Sequence, residues 1–212
     1  VGYGSTIILR DESWVVNKGE KWALLGENGS GKSTLLSLVC ADNPQSYSND
    51  VTIFGMARGS GESIWDIKRR IGYISPEMHL YFNGIAKVED VIAQGFSDKV
   101  GNYCHASASE LMIAREWMQG LGMSALEGRV FSTLSSGEQR LVLLARTLIK
   151  QAPLLILDEP LHGLDESRKR LVSKVIERIV EREGMTIVYV THYVEEIPKC
   201  VNNIKRLSPL GR

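Results

Sequence analysis

Short apolar runs and amphipathic stretches alternate along this chain in the order expected of an α/β fold. Residues 21–25 form an apolar run that ends in glycine, and residues 34–39 then place apolar side chains at helical spacing. A short apolar run bounded by a turn signal indicates a strand, and the period that follows indicates a helix. A strand, a glycine-rich loop and a helix are therefore predicted in direct succession.

Two continuous apolar runs near the other end of the chain predict buried strands. They cover residues 154–157 and 186–190, and no charged residue interrupts them. Uninterrupted runs of this length are typical of parallel strands that are covered on both faces. Between them, residues 166–183 carry one apolar stripe among charges, which predicts a crossover helix. The residues of this stripe are Leu171, Val175, Ile176, Ile179 and Val180.

The middle of the chain has a helical character. Ser107 and Glu110 have the spacing of a capping box, and apolar residues at helical period follow them. We interpret residues 77–130 as a helical insertion, which leaves 1–76 and 131–212 as the core of one domain.

Charge and composition narrow the classes of partner. The 212 residues include 25 Lys and Arg and 25 Asp and Glu, which argues against a surface that coats nucleic acid but leaves a local basic patch open. A hydrophobic fraction of 43% and a charged fraction of 24% are typical of a soluble globular protein. No apolar run approaches the roughly 20 residues that span a bilayer. We therefore expect a cytoplasmic protein that reaches the inner face of a membrane only through a partner.

The cysteines show no pattern of a disulfide framework or a zinc site. Cys40, Cys104 and Cys200 are odd in number and widely spaced, which favours three reduced thiols. The chain starts at Val1 rather than at methionine, so we expect it to be a segment of a longer polypeptide.

The loop after the first predicted strand carries a phosphate-binding pattern. Residues 26–33 fit G-x-x-x-x-G-K-[ST], between a strand and a helix as that pattern requires. Its glycines let backbone amides turn towards an anion, and the helix N-terminus adds its positive end. Lys32 would add a charge for the β- and γ-phosphates, and the Ser33 hydroxyl could ligate Mg²⁺. The alternative, a glycine-rich turn with a solvated lysine, does not explain this context.

Polar residues follow both of the later strands. Asp158 and Glu159 end the first, at the sheet edge where α/β proteins bind ligands. We expect Asp158 to hold Mg²⁺ and Glu159 to polarise the attacking water, although acids also end strands for structural reasons alone. His192 ends the next strand and becomes a candidate γ-phosphate sensor because of these neighbours.

A third polar segment opens a helix at residues 134–139. Ser135 and Glu138 have capping-box spacing, which is sufficient in itself but explains neither Gly137 nor the second serine, Ser136. A helix start with small hydroxyl residues also suits phosphate binding. Because the helical insertion separates this segment from its own phosphate loop, we expect it to act in trans.

Taken in order, these segments resemble the nucleotide-binding domain of ABC-type ATPases over essentially the whole chain. The family's Walker A corresponds to 26–33, its signature motif to 134–138, its Walker B to 154–159 and its D-loop to 163–165. The resemblance implies an α/β P-loop NTPase fold of ABC type: a mostly parallel sheet, an antiparallel β-subdomain and an inserted helical subdomain. It also implies that two domains pack head to tail, in one tandem chain or as a homodimer formed on ATP binding, with each ATP between them.

The resemblance further implies ATP and Mg²⁺ as cofactors. The implied catalytic residues are Glu159, His192 and Lys32, and the implied Mg²⁺ ligands are Ser33 and Asp158. Tyr3 stands where the family has an aromatic residue that stacks on adenine. The implied nucleotide-binding residues are Tyr3, Gly26, Asn28, Gly29, Ser30, Gly31, Lys32, Ser33, Thr34, Ser135, Ser136, Gly137 and Glu138.

Two departures from the family pattern bear on function. Ser136 and Glu138 replace a glycine and the glutamine of the usual signature, but they keep a polar helix start. Pro76 stands where the family has a glutamine, and Glu77 is a partial substitute for it. Since that loop usually links the ATP site to a membrane-spanning partner, the change places coupling to a transporter in doubt.

A closer resemblance is to tandem ABC ATPases known as molybdenum-transport ATP-binding or photorepair proteins, whose second domain this chain resembles. It rests on residues 43–50, 59–65 and 75–77. It implies that this chain is the ATP-binding component of a transport system of molybdate type, and that its partner is a membrane-spanning subunit. The alternatives are a soluble tandem ATPase that acts on nucleic acid or a protein complex, and a nucleotide-binding switch, against which the two acids argue.

Overall fold

A parallel sheet forms the centre of the chain. The computed structural model describes residues 1–4, 6–82, 85–97 and 106–209, so Cys104 lies outside the described part. The strands are β1 (Gly2–Tyr3), β2 (Thr6–Ile7), β3 (Lys21–Leu25), β4 (Thr52–Ile53), β5 (Met56–Ala57), β6 (Ile71–Ile74), β7 (Leu154–Asp158), β8 (Thr186–Thr191) and β9 (Asn203–Arg206). Five of them pair in parallel in the order β6-β7-β8-β3-β9. The three predicted strands therefore lie side by side at the centre of this sheet, with β7 and β3 flanking β8.

Two short antiparallel hairpins lie outside the main sheet. One pairs β1 with β2, and the other pairs β4 with β5. In the second hairpin, Phe54 and Gly55 both have positive φ, 53° and 82°. Two successive residues with positive φ give the tight turn whose twist matches that of paired strands.

The helices begin at the signals that the sequence carries. They are α1 (Lys32–Val39), α2 (Ile64–Arg69), α3 (Val88–Ala93), α4 (Ala108–Gly120), α5 (Ser136–Ile149) and α6 (Glu166–Arg182). Both predicted capping boxes form, from Ser107 to Glu110 at α4 and from Ser135 to Glu138 at α5. Since β7, α6 and β8 follow one another and the strands are parallel, α6 is the predicted crossover helix.

Both faces of the sheet are covered, as the uninterrupted apolar runs predict. On β7, Leu155 and Leu157 pack into one apolar cluster with α5, whereas Ile156 packs into a second cluster with Leu36 of α1. Residues 140–149 of α5 are all buried, because α3 and α4 pack on the side of α5 away from the sheet. This packing places α5 between these two helices and the sheet, where it contacts β6.

The apolar stripe of α6 differs by one position from the prediction. Its buried residues are Val172, Ile176 and Val180, whereas Leu171 is 37% exposed. Residues four apart share one face of a helix, so Val172 rather than Leu171 aligns with Ile176.

The segment between β6 and α5 is helical in its described part. It contains α3 and α4, which pack on each other and on α5, and an isolated antiparallel bridge joins Lys87 to Val130. The division into 1–76, 77–130 and 131–212 stays a prediction. Among the described residues, no helix combines the length and apolar character needed to cross a membrane.

Candidate functional site

The glycine-rich loop between β3 and α1 leaves its backbone amides available to a ligand. Gly29 and Gly31 have φ values of 82° and 92°, a conformation that favours glycine. Gly31 is the N-cap of α1, where no side chain caps the helix and no acidic residue lies in the first turn. The first amides of a helix have no partner inside it, so this helix start is free to bind an anion.

Tight packing fixes the loop in place. A Cβ on Gly26 would lie 2.7 Å from the carbonyl oxygen of Leu207, and a Cβ on Gly31 would lie 2.7 Å from Cδ2 of Leu9. The neighbour of Gly26 is main chain and cannot move aside easily, whereas Leu9 Cδ2 is the end of a flexible side chain. The loop therefore needs glycine for space at Gly26 and for backbone conformation at Gly31.

Lys32 lies folded over this loop. Its Nζ donates hydrogen bonds to the carbonyl oxygens of Gly26, at 2.6 Å, and of Glu27, at 2.9 Å. Its side chain is almost buried, whereas Ser33 beside it is exposed. The other predicted residues of the loop are Asn28 and Gly29, which are exposed, Ser30, which is buried with an unpartnered hydroxyl, and Thr34, which is half-buried.

Asp158 ends β7 as a buried acid and lies near Lys32. It is 6% exposed, and burial followed by the charge of Glu159 raises its pKa from 3.8 to about 6, whereas the charges of Arg140 and Lys32 oppose that rise. A buried carboxylate whose charged form is disfavoured in this way is stabilised by a nearby cation.

The donor set of Ser33 and Asp158 fits magnesium. Mg²⁺ prefers hard oxygen ligands and is usually bound by one or two protein groups together with substrate phosphates. Among the described residues, no three His, Cys, Asp or Glu side chains are grouped closely enough to hold a metal ion. A hydroxyl and a carboxylate beside a phosphate loop would therefore bind Mg²⁺ together with nucleotide rather than alone.

Glu159 and His192 meet at the ends of neighbouring strands. His192 Nδ1 lies 2.9 Å from Oε1 of Glu159, and the ring of Tyr193 lies 3.8 Å from the His192 ring, centroid to centroid. Since an ionised carboxylate only accepts, Nδ1 carries the hydrogen in this contact. The Glu159 amide donates to the Val190 carbonyl oxygen at 2.9 Å, so the pairing of β7 with β8 continues one residue beyond β7.

The sequence patterns do not identify two residues that contact this site. His162 Nδ1 lies 3.9 Å from Oε2 of Glu159, although nothing in the sequence joins His162 to the other candidates. The sequence around Arg140 indicates only an ordinary arginine within a helix. In the structure Arg140 is buried and donates hydrogen bonds to the carbonyl oxygens of Asp158 and Glu159, at 2.6 and 2.5 Å. The Arg140 contacts join segments that are 18 and 19 residues apart, and the His162 contact depends on the turn that the chain makes after β7.

The segment that opens α5 presents its serines to solvent. Ser135 and Ser136 are exposed, and the side-chain hydrogen bonds of Ser135 within the described ranges go to Glu138 and not to the phosphate loop. A Cβ on Gly137 would lie 2.9 Å from the Gly163 carbonyl oxygen. Close packing against the loop before α6 thus explains the glycine that the capping box does not. The Glu138 carboxylate accepts from the backbone and hydroxyl of Ser135, which lowers its pKa.

The remaining two candidates lie at the periphery. Tyr3 is 55% exposed, and its hydroxyl accepts a hydrogen bond from Asn43 Nδ2 at 2.9 Å, so one edge of the ring is held while its surface stays accessible. Pro76 begins a 3-10 turn, Pro76–Tyr81. Glu77 is exposed on that turn, and its charge is among the causes that raise the pKa of Asp158.

Comparison with known proteins agrees with this arrangement. The sequence profile of the family described as "ABC transporter" matches residues 9–162. The chain is 42% identical over 212 residues to the ABC transporter ATP-binding protein ModF of Escherichia coli, covering 100% of this chain and 43% of ModF. It is 36% identical over 191 residues to the ABC transporter ATP-binding protein YmeB of Lactococcus lactis, covering 90% of this chain and 73% of YmeB.

The fold has close counterparts among solved structures. A dimeric ATP-binding cassette, MJ0796, in a post-hydrolysis state bound to ADP and Pi, superposes with a TM-score of 0.81 at 22% identity, over 99% of this chain and 92% of that one. The chain spans less than half the length of ModF and about three quarters of YmeB. With its phosphate loop, its paired acids and a family match over more than half of its length, the chain belongs to the ABC transporter family of ATPases, as an ATP-binding domain.

Proposed function

We propose that this domain binds ATP together with Mg²⁺ and hydrolyses its γ-phosphate with water. The observation that carries the proposal is the contact of Glu159 with His192 at 2.9 Å, directly after the buried acid Asp158. An acid that only ended a strand would not need a histidine from the next strand. A carboxylate held in this way is suited to accept a proton from an attacking water.

Each group has a distinct part in the proposed reaction. The amides of the glycine loop and Lys32 bind the β- and γ-phosphates, for which Nζ leaves the carbonyl oxygens that it contacts in this structure. Ser33 and Asp158 would hold Mg²⁺, which when bound neutralises charge that develops on the phosphate oxygens. Glu159 accepts the proton of the water, and His192 holds the carboxylate in position.

We further propose that the site is completed by a second ABC domain. Ser135 and Ser136 are exposed and lie at a helix start suited to bind phosphate, so a second domain could approach them with its own ATP. That domain would lie in the same polypeptide, since the chain matches 43% of ModF, or in a second copy of the chain. Catalysis depends here on orientation and charge, so the isolated domain is expected to hydrolyse ATP slowly.

The variant Glu159→Gln tests the hydrolytic part of the proposal. Loss of a general base lowers turnover by about 100-fold or more, whereas ATP binding, which depends on the phosphate loop, persists. The matched control is Glu166→Gln, which removes an exposed carboxylate at the start of α6 that pairs only with Lys169, at 3.4 Å, in the described part. Undiminished turnover of Glu159→Gln would remove Glu159 from this role.

For the biological role, we propose the ATP-binding component of a transport system of molybdate type. The family and the name of ModF, an ABC transporter ATP-binding protein, favour a role in transport. The molybdate type is proposed from the sequence resemblance of residues 43–50, 59–65 and 75–77. Leu80 and Tyr81 at the end of the turn Pro76–Tyr81, and Ile85 after it, are 59%, 69% and 84% exposed, and such apolar side chains are suited to contact a membrane-spanning subunit.

The second candidate is a tandem ABC ATPase that works without a membrane subunit. Pro76 favours this second candidate, because proline lacks the side-chain amide of the glutamine with which the family links this loop to the ATP site. Purification of the full-length protein from membranes and cytosol separates the two. Recovery with a multi-span membrane subunit supports transport, and recovery in the cytosol with nucleic acid or a protein complex supports the alternative.

A further inference from the structure

A buried arginine joins three segments of the chain that surround the acids. Arg140 lies in the first turns of α5 and is 7% exposed. Its Nη1 donates to the carbonyl oxygen of Ser75 at 2.6 Å, and its Nη2 donates to those of Asp158 and Glu159 at 2.6 and 2.5 Å. One guanidinium therefore fixes the end of β6, the end of β7 and the residue after β7.

These contacts lie where the backbone needs support. Glu159 has a φ of 48°, a left-handed conformation that a residue with a side chain adopts only when its surroundings impose it. Its amide is held by Val190, and its carboxylate contacts His192. Its carbonyl oxygen accepts from Arg140 at 2.5 Å and from the His162 amide at 3.1 Å. Val190, His192 and His162 belong to β8 or to the segments that directly follow β7 and β8, whereas Arg140 reaches Glu159 from the separate helix α5.

We propose that Arg140 is a positioning residue for the hydrolytic step, which keeps the Glu159 backbone left-handed so that its carboxylate meets His192. This inference rests on the proposed function only for its catalytic consequence. Arg140 does not contact the phosphate loop in the described part of the chain, and it can affect nucleotide binding only indirectly, through Asp158. We therefore expect its loss to act mainly on turnover.

The geometry requires a guanidinium. A lysine carries one ammonium group on a flexible stem, whereas the planar fork of arginine donates in several fixed directions at once. The same helix begins at the exposed serines Ser135 and Ser136. A partner domain that shifts the start of α5 would therefore also shift the carbonyl oxygens that Arg140 holds, which gives the partner a route to Glu159.

Three variants of the full chain test the inference: Arg140→Lys, Arg140→Met and Arg146→Met. Arg146 is the matched control because it lies in the same helix and is 8% exposed, but its guanidinium lies 5.3 Å from the centroid of the Phe82 ring, away from the acids. Arg140→Met is expected to lower kcat by about 10- to 100-fold, the scale of a displaced catalytic group, with a smaller change in the KM for ATP. Arg140→Lys should fall between it and the parent, and Arg146→Met should keep the parent kcat.

A second readout is independent of turnover. The ¹⁵N chemical shift of His192 Nδ1, measured without nucleotide and assigned by its displacement in Glu159→Gln, reports the contact with Glu159. We expect Arg140→Met to displace this signal and Arg146→Met to leave it in place. If the assembled two-domain protein shows no ATP turnover, the proposed function fails, and the His192 signal still decides the role of Arg140.

Three results would overturn the inference. The first is a His192 signal in Arg140→Met that equals that of the parent. The second is an equal loss of kcat in Arg146→Met, which would indicate a general effect of losing a buried arginine. Should Arg140→Met fail to fold, Arg140→Lys decides: a folded variant with the kcat and the His192 signal of the parent would be the third.

Discussion

Removing the charge of Asp158 should make the nucleotide-free domain more stable. Burial and the neighbouring Glu159 raise the pKa of this carboxyl from 3.8 to about 6. Each pKa unit is worth about 1.4 kcal/mol, so the ionised form destabilises the native state by up to about 3 kcal/mol above pH 6. Asp158→Asn removes this destabilising charge and is expected to raise the unfolding temperature of a domain of this size by about 5–10 °C at pH 8.

The dependence on pH identifies the cause. A carboxyl whose pKa is raised in the folded state takes up a proton there first, so the native state regains stability as the pH falls from about 6 towards 4. At pH 5 the parent has regained about half of the 3 kcal/mol, and the advantage of Asp158→Asn shrinks accordingly. Differential scanning fluorimetry at pH 8 and pH 5 measures both values.

With Mg²⁺ and ATP added, the parent should have a higher unfolding temperature than Asp158→Asn. Ligands that bind only the native state stabilise it by mass action, and the parent carboxylate binds a cation that the amide of Asp158→Asn binds poorly. A lower unfolding temperature of Asp158→Asn at pH 8 without nucleotide, or a gain that is the same at pH 5 and pH 8, would refute the reasoning.

Two further predictions use matched pairs of residues. Ser135→Ala and Ser107→Ala each remove the hydroxyl of a capping box, and each should lower the free energy of unfolding by about 1 kcal/mol. Only Ser135→Ala should also slow ATP turnover of the assembled two-domain protein. If both variants turn over ATP at the rate of the parent, Ser135 is a capping residue alone. Gly31 has a φ of 92°, which alanine adopts only with strain, so Gly31→Ala should destabilise the domain and abolish binding of a fluorescent ATP analogue. Gly120→Ala, which has open space around it, should bind like the parent, and binding by Gly31→Ala would contradict the need for a left-handed backbone in the loop.

The elements that the sequence predicts well are those whose signal is local. The apolar runs of β3, β7 and β8 are continuous because these strands are buried on both faces, and they lie at the centre of the sheet. The edge strand β9 is not predicted, because its residues alternate between half-buried and exposed and include Lys205 and Arg206. Strand β6 is short and contains Gly72, which weakens its pattern.

The same distinction applies to the candidate site. The glycine loop and the acids Asp158 and Glu159 lie in short motifs whose chemistry can be read from neighbouring residues. Arg140 binds main-chain carbonyl oxygens, which every residue has, so no sequence pattern marks its partners. His162 approaches Glu159 only because the chain turns back after β7.

The most direct test of the central claim is a crystal structure of Glu159→Gln with Mg²⁺ and ATP. The account predicts the β- and γ-phosphates within hydrogen-bond distance of Lys32 and the amides of the glycine loop, with Mg²⁺ bound by Ser33 and facing Asp158. A triphosphate bound elsewhere, or an Asp158 carboxylate that faces away from the metal, would contradict it.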